Sequence, residues 1–370
     1  MIPTAILTNW NEFYFNAFNI IFGLGIFLII TLQIISTSKF INNTHILRSV
    51  PLISIIVFSL KQFANWLWGL QLVVFMSVFF TVLGIIILSR PLIRAASFWG
   101  ALCCGIVGSF SFLNGLLIWP IGFLILLLGK AKNNLKKPYL FTWIIVGATT
   151  VLLFLYDYQK PPSHHPSIFF VFKHPFFFLA FVFSFLGGPL AAAKEFAPFI
   201  GIAGIMLLMF FTLLLLKSDK KNFHILLPYL SLSLYSILTA IIIAIGRAGW
   251  GWQEGLSPRY VTHSIFFWVA VTVILFIGYG SFISEQKFKH IKISSKYFII
   301  ALTLLTTTTS LNSIPYFFDS YVRWTNARTD LLIMKNMNNL LPLEQFSEVY
   351  RRSFFLIRDR HLSAFRNNKS

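Results

Sequence analysis

The sequence predicts an all-α fold: a polytopic transmembrane helical bundle with a short helical C-terminal extramembrane tail. Three observations carry this. Only 11% of the 370 residues are charged and 57% are hydrophobic, whereas a soluble domain carries about 25% charged residues. Apolar runs recur at about the 20-residue length that crosses a hydrocarbon core of roughly 30 Å, and backbone without water to bond must be helical there. Lysines and arginines gather in short clusters between those runs, the distribution that membrane orientation imposes.

The elements follow in order. Residues 13–35 form the first span. Residues 1–12 lack a basic start and the following run is too long for a signal core, so it reads as a retained helix. A polar stretch with Lys39 and Arg48 leads to a shorter apolar run at 50–60, which ends in KQFANWLWGLQ. Trp66 and Trp68 there suit the membrane–water interface. Residues 70–89 span again, followed by 95–111. Asn114-Gly115 is a turn signal, so 116–129 is a separate short segment. After the lysines at 130–137 come a span at 139–156 and a loop at 157–175 that bears His164, His165 and His174. Residues 176–190 read as a re-entrant or interfacial helix, because a second full crossing before 215 would invert everything downstream. Adjacent Lys194 and Glu195 then read as a mutually neutralising pair. Spans at 197–216, 225–245, 265–283 and 297–311 bring the total to about 10 crossings. The transmembrane domain is 1–314 and the tail is 315–370, with an amphipathic segment at 343–366.

Orientation follows from counting basic residues in short loops. The loops at 36–49, 90–94, 130–137, 217–221 and 285–296 hold fifteen, and the alternate loops hold four. The lysine-rich loops therefore face the cytoplasm. The other loops and the C-terminus are non-cytoplasmic.

Several function classes are excluded. The net charge of +19 is spread over topological clusters and forms no continuous stripe, so no nucleic-acid partner is expected. No Walker A, GxSxG, HExxH or EF-hand pattern occurs. Cys103 and Cys104 are adjacent and lack metal-ligand spacing. The three histidines have no suitable companions either, so no metal or other cofactor is called for.

One stretch stands out, 246–264, reading GRAGWGWQEGLSPRYVTHS, which looks like a loop between two spans. Its arginines suit an anionic ligand, because guanidinium makes bidentate contacts with phosphate, and Trp252 offers a face for stacking. Of eleven acidic residues, five lie in the tail and two in lysine loops. Glu12, Asp157, Glu195 and Glu254 remain, all at the non-cytoplasmic side.

The NWLWGLQ turn, SFLNGLLIWP and GR-G-WGWQEGLSPRYVTHS, in that order, resemble bacterial membrane proteins of the GT-C glycosyltransferase-like superfamily over about 45–285. The resemblance implies sugar transfer from a polyprenyl-phosphate-linked donor at the outer face. Arg259 and Tyr260 would fall near the lipid-phosphate site, with Arg247 and Trp252 in the same substrate-binding element. This sequence reads Ser257-Pro258-Arg259-Tyr260, a proline more than the family's element. The family places its catalytic carboxylate in a first long external loop after an initial helix. Here no helix precedes Phe13, a departure from the family, and only Glu12 is available in that position; Glu254 is the second candidate base. The alternatives are a transporter or flippase of lipid-linked glycans, and a truncated, non-catalytic membrane protein. Lipid bilayer is the expected partner in every case.

Overall fold

In the computed structural model, α1 (Glu12–Phe40) shows how the membrane shapes the whole chain. Ile26, Ile30 and Ile34 recur every fourth residue and are buried, while Ile20, Leu24, Leu28 and Leu32 share the opposite face and are exposed. A helix apolar on all faces is suited to lipid on one side and protein on the other. The structure describes residues 12–90, 92–129, 133–156, 169–218, 222–281 and 289–336. Every regular element among them is helical, and eight helices or broken helices are long and apolar enough to cross a membrane.

The second candidate span, Thr44–Leu67, is one interrupted helical run rather than a polar stretch before a short run. It comprises a 3-10 turn (Thr44–Ser49), α2 (Val50–Val57), a second turn at Leu60–Gln62 and α3 (Phe63–Leu67). The Asn43 side chain accepts from the His45 amide, 3.0 Å, to start it. Ser59 breaks it with an extended ψ of 128° and caps the turn after it. Side-chain oxygens thus replace the helical acceptors that the break removes.

α4 (Leu72–Leu88) and α5 (Ala95–Ser111) pack tightly, because Ser77 donates to the Gly108 carbonyl, 3.0 Å. Gly115, in the turn Leu113–Leu117, approaches that carbonyl so closely that a Cβ would collide with it. α6 (Ile118–Leu128) and α7 (Asn133–Leu155) are joined by indoles. Trp119 donates to Ser109 and Trp143 donates to the Trp119 carbonyl.

A four-residue turn of helix, α8 (Phe170–Lys173), leads into α9 (Pro175–Gly187). At 13 residues, α9 is about 20 Å long. It folds back on α10 (Ala197–Ser218), where Gly187 lies against the Ala197 carbonyl and Gly201 against the Phe183 carbonyl. Between them Lys194 and Glu195 are both exposed on a 3-10 turn. The expected pair does not form. The ion pairs among the described residues are Arg247–Glu254 and Asp319–Arg323. Three residues per turn point neighbouring side chains about 120° apart.

α11 (Asn222–Arg247) and α12 (Pro258–Ser281) follow. α12 is the axis of the molecule. Residues 260–278 are buried on every side, among α10, α11, the 44–67 span and α13 (Lys289–Asn312). Ser313 separates α13 from α14 (Ile314–Asn336). The candidate span Lys296–Arg323 therefore continues past the 314/315 boundary expected between membrane domain and tail. The histidines at 164 and 165 and the segment 343–366 lie outside the described residues.

Candidate functional site

α11 ends at Arg247, and two 3-10 turns, Ala248–Trp250 and Trp252–Leu256, carry the chain to α12. Gly251 joins the turns at φ +108°, a conformation that L side chains rarely adopt. Gly255 seats the second turn on α9, since a Cβ there would lie 2.9 Å from the Phe181 carbonyl. Ser257 is extended and Pro258 opens the helix, as proline's fixed φ favours at a first helical position. The polar stretch is therefore not all loop. Arg259, Tyr260 and His263 belong to the first turns of the central helix.

Arg247 is the hub of the rim. Its Nη1 lies 3.7 Å from Glu254 Oε1. Its guanidinium carbon sits 5.4 Å from the Trp250 ring centroid and 5.8 Å from that of Tyr260. Stacking on two aromatic faces is worth about 0.5–2 kcal/mol per contact, more when dry. The Arg247 and Glu254 side chains are each 32% exposed, so water still screens the pair, and such ion pairs contribute little net stability. Their exposure matters in another way, since both remain reachable from outside. Tyr260 is buried and its ring lies 5.8 Å from that of Phe185 on α9. Its hydroxyl makes no hydrogen bond of good geometry among the described residues, with the Arg247 guanidinium as the neighbouring donor. Trp252 is half-buried in the adjoining turn.

Arg259 is exposed one turn away, and what it contributes to the fold is its carbonyl. Asn65 Nδ2 donates to that carbonyl at 2.9 Å and to Thr262 Oγ1. Thr262 in turn donates to Gln62 Oε1, 2.7 Å, and Gln62 Nε2 donates to the Val57 carbonyl. Asn19 of α1 reaches the Asn65 carbonyl, 3.2 Å. The opening turns of α1 thus stand at the same end of the bundle as Arg259. α1 begins at Glu12, whose side chain lies outside the described residues.

His263 is wholly enclosed. Tyr235 OH lies 2.9 Å from Nδ1, Asn114 Nδ2 lies 3.5 Å from Nε2, and Phe112 stacks on the ring at an interplanar angle of 15°. Ser236 donates to its backbone carbonyl, 2.6 Å. The imidazole is a structural pin joining α11, α12 and the turn after α5.

Sequence reasoning missed this layer under the rim. Asn19 and Tyr235 were legible only as isolated polar residues inside apolar runs, the signal that marks costly and meaningful positions in a membrane. Asn114 read as a turn, and Gln62 and Asn65 as part of an interfacial segment. Lys61 was missed too. Half-buried, it donates from Nζ to the Ala191 carbonyl. No protein-family model, curated protein or solved structure matches the chain.

Proposed function

We propose that the chain is a membrane glycosyltransferase of the GT-C-like kind, taking a polyprenyl-phosphate-linked sugar at the non-cytoplasmic face of a bacterial inner membrane. The observation that carries this reading is the Arg247 cluster. A guanidinium backed by two aromatic faces and set against a carboxylate stands, partly exposed, at the amino end of a buried helix. That helix end adds its own positive dipole to a site for an anionic group. The topology that goes with it has ten crossings: the eight long apolar helices plus Ala95–Ser111 and Leu113–Leu128, with Pro175–Leu190 lying at the interface.

In this reading the donor phosphate lies against Arg247, and Arg259 approaches from the exposed side. Trp250 and Trp252 offer stacking faces to the sugar. The acceptor hydroxyl gives its proton to a carboxylate, either Glu254 or Glu12. The sugar's anomeric carbon forms a bond to that oxygen, and the lipid phosphate departs with the electrons of the broken carbon–oxygen bond. Charge stabilisation of the leaving phosphate is the larger contribution, about 10²–10³-fold for one well-placed donor group. Transport of lipid-linked glycans has less support. The polar layer around His263 is followed along α12 by buried apolar residues at 265–271, where a transport path would need polar lining.

The test is transfer from a radiolabelled polyprenyl-phosphate sugar by the full chain in proteoliposomes. Arg247→Ala should lose at least about a hundredfold. Arg247→Lys should recover only part, because a lysine cannot reproduce the planar stack. Arg259→Ala should also abolish transfer while protein level and orientation stay normal. Full activity in both alanine variants would sink the assignment.

A further inference from the structure

A cavity lies toward the far end of α1, lined from Leu32 to Phe40, about 20–30 Å along that helix from the Asn19 contact beneath the rim. Its volume is about 480 Å³, and it is walled by the last turns of α1, the α4–α5 connection and the start of α11. Nothing in the rim chemistry uses it.

Its walls have a consistent character. Arg90 and Arg94 line it, both are exposed, and among the described lining residues none is acidic. Two helices begin there, α5 at Ala95 and α11 at Asn222. No side chain caps the first of these, so its opening amides lack a side-chain acceptor among the described residues. Ser97, on the first turn of α5, is 8% exposed and lines the cavity, and its hydroxyl has no hydrogen bond among the described residues. Gln33 and Thr37 face the same space from α1, and His224 does so from α11. Thr37 is fixed by Tyr229, 2.8 Å, so this wall is built and not merely open.

The mouth differs from the floor. Leu32, Phe40 and Leu92 line the cavity and are 56%, 66% and 48% exposed. Apolar side chains so exposed beside two guanidiniums suit an amphiphile and not a freely soluble ion. We propose that this cavity binds the phosphate headgroup of an anionic lipid, with the guanidiniums and the α5 amides on the phosphate oxygens and an acyl chain along Leu32 and Leu92. Charge-assisted bonds from guanidinium and backbone amides to phosphate are the strong ones. The site is separate from the rim and stands whether or not the chain transfers sugars.

The experiment uses the full chain, purified in detergent and stripped of lipid, with thermal unfolding followed during titration. The probes are phosphatidic acid, phosphatidylglycerol, phosphatidylcholine and inorganic phosphate. The two anionic lipids should raise Tm saturably, and phosphatidylcholine and inorganic phosphate should not. The double variant Arg90→Gln/Arg94→Gln should weaken the anionic-lipid midpoint at least about tenfold. Lys137→Gln, which removes an exposed basic residue outside the cavity, should leave it unchanged. Ser97→Ala removes the hydroxyl without adding bulk and keeps both charges, and should weaken it by a few-fold, with an unliganded Tm near that of the parent. An unchanged midpoint in both cavity variants would overturn the site. A phosphate effect equal to that of the lipids would overturn the lipid assignment.

Discussion

Arg247 and Arg259 look alike in the sequence and differ in the fold. Both are basic, both lie near glycines and aromatics, and both suit phosphate. Only Arg247 meets a carboxylate and two rings, because it closes α11 while Arg259 occupies an outward position on the first turn of α12. Local sequence cannot separate these outcomes, since they depend on which way a helix start faces. His263 was equally illegible as a pin, for its partners Tyr235 and Asn114 are 28 and 149 residues away. The Asn65 amide tests the layer beneath the rim. Asn65→Ala removes a second donor from the Arg259 carbonyl and a partner of Thr262. Each such bond within a membrane averages about 0.6 kcal/mol and reaches about 1.7. The variant should therefore lose roughly 1–3 kcal/mol, read as a lowered midpoint in denaturant-induced unfolding in detergent.

At the scale of elements, length and composition made the long spans legible. The first span, the α4 span and the α10 span were visible as continuous apolar runs, and their helices begin and end within a few residues of those runs. The 44–67 run was not, because Lys61 and Gln62 interrupt its apolar pattern. The structure accommodates them through a Ser59-capped turn and distant carbonyl acceptors. Nor was the start of α12, where a proline inside a polar stretch reads as loop but also fits the first position of a helix. Small residues at helix crossings form another feature that pattern alone does not expose, since membrane helices associate by close packing. Gly201→Val would press its side chain onto the Phe183 backbone. It should part α9 from α10 and destabilise the protein by about 1–3 kcal/mol. Gly100→Ala, which meets open space, should be neutral in the same thermal-shift measurement.

For the whole molecule, the sequence spoke through charge. Arg90 and Arg94 meet the end of α1 and the start of α11 at one end, and α1 carries the chain there from the rim end. That asymmetry predicts sidedness. With Cys103 and Cys104 replaced by serine, a cysteine at position 249 should react with a membrane-impermeant maleimide on intact cells. One at position 42 should react only after permeabilisation. The reverse pattern would place the Arg247 rim in the cytoplasm and remove the lipid-linked donor reading with it. No charge count could have told that this span would be the enclosed one, because α12 is not the most apolar of the candidate spans.

That enclosure bears on how the protein answers to its membrane. α1 and α7 turn most of their surface outward, with 28% and 22% of their apolar windows buried, against 100% for α12. A thinner or thicker bilayer imposes hydrophobic mismatch on a lipid-facing helix, which tilts to relieve it. α12 has no lipid face on which that force can act. The outer helices take up the tilt, while the helix that carries Tyr260 and His263 is held by its protein neighbours at a depth that lipid thickness does not set.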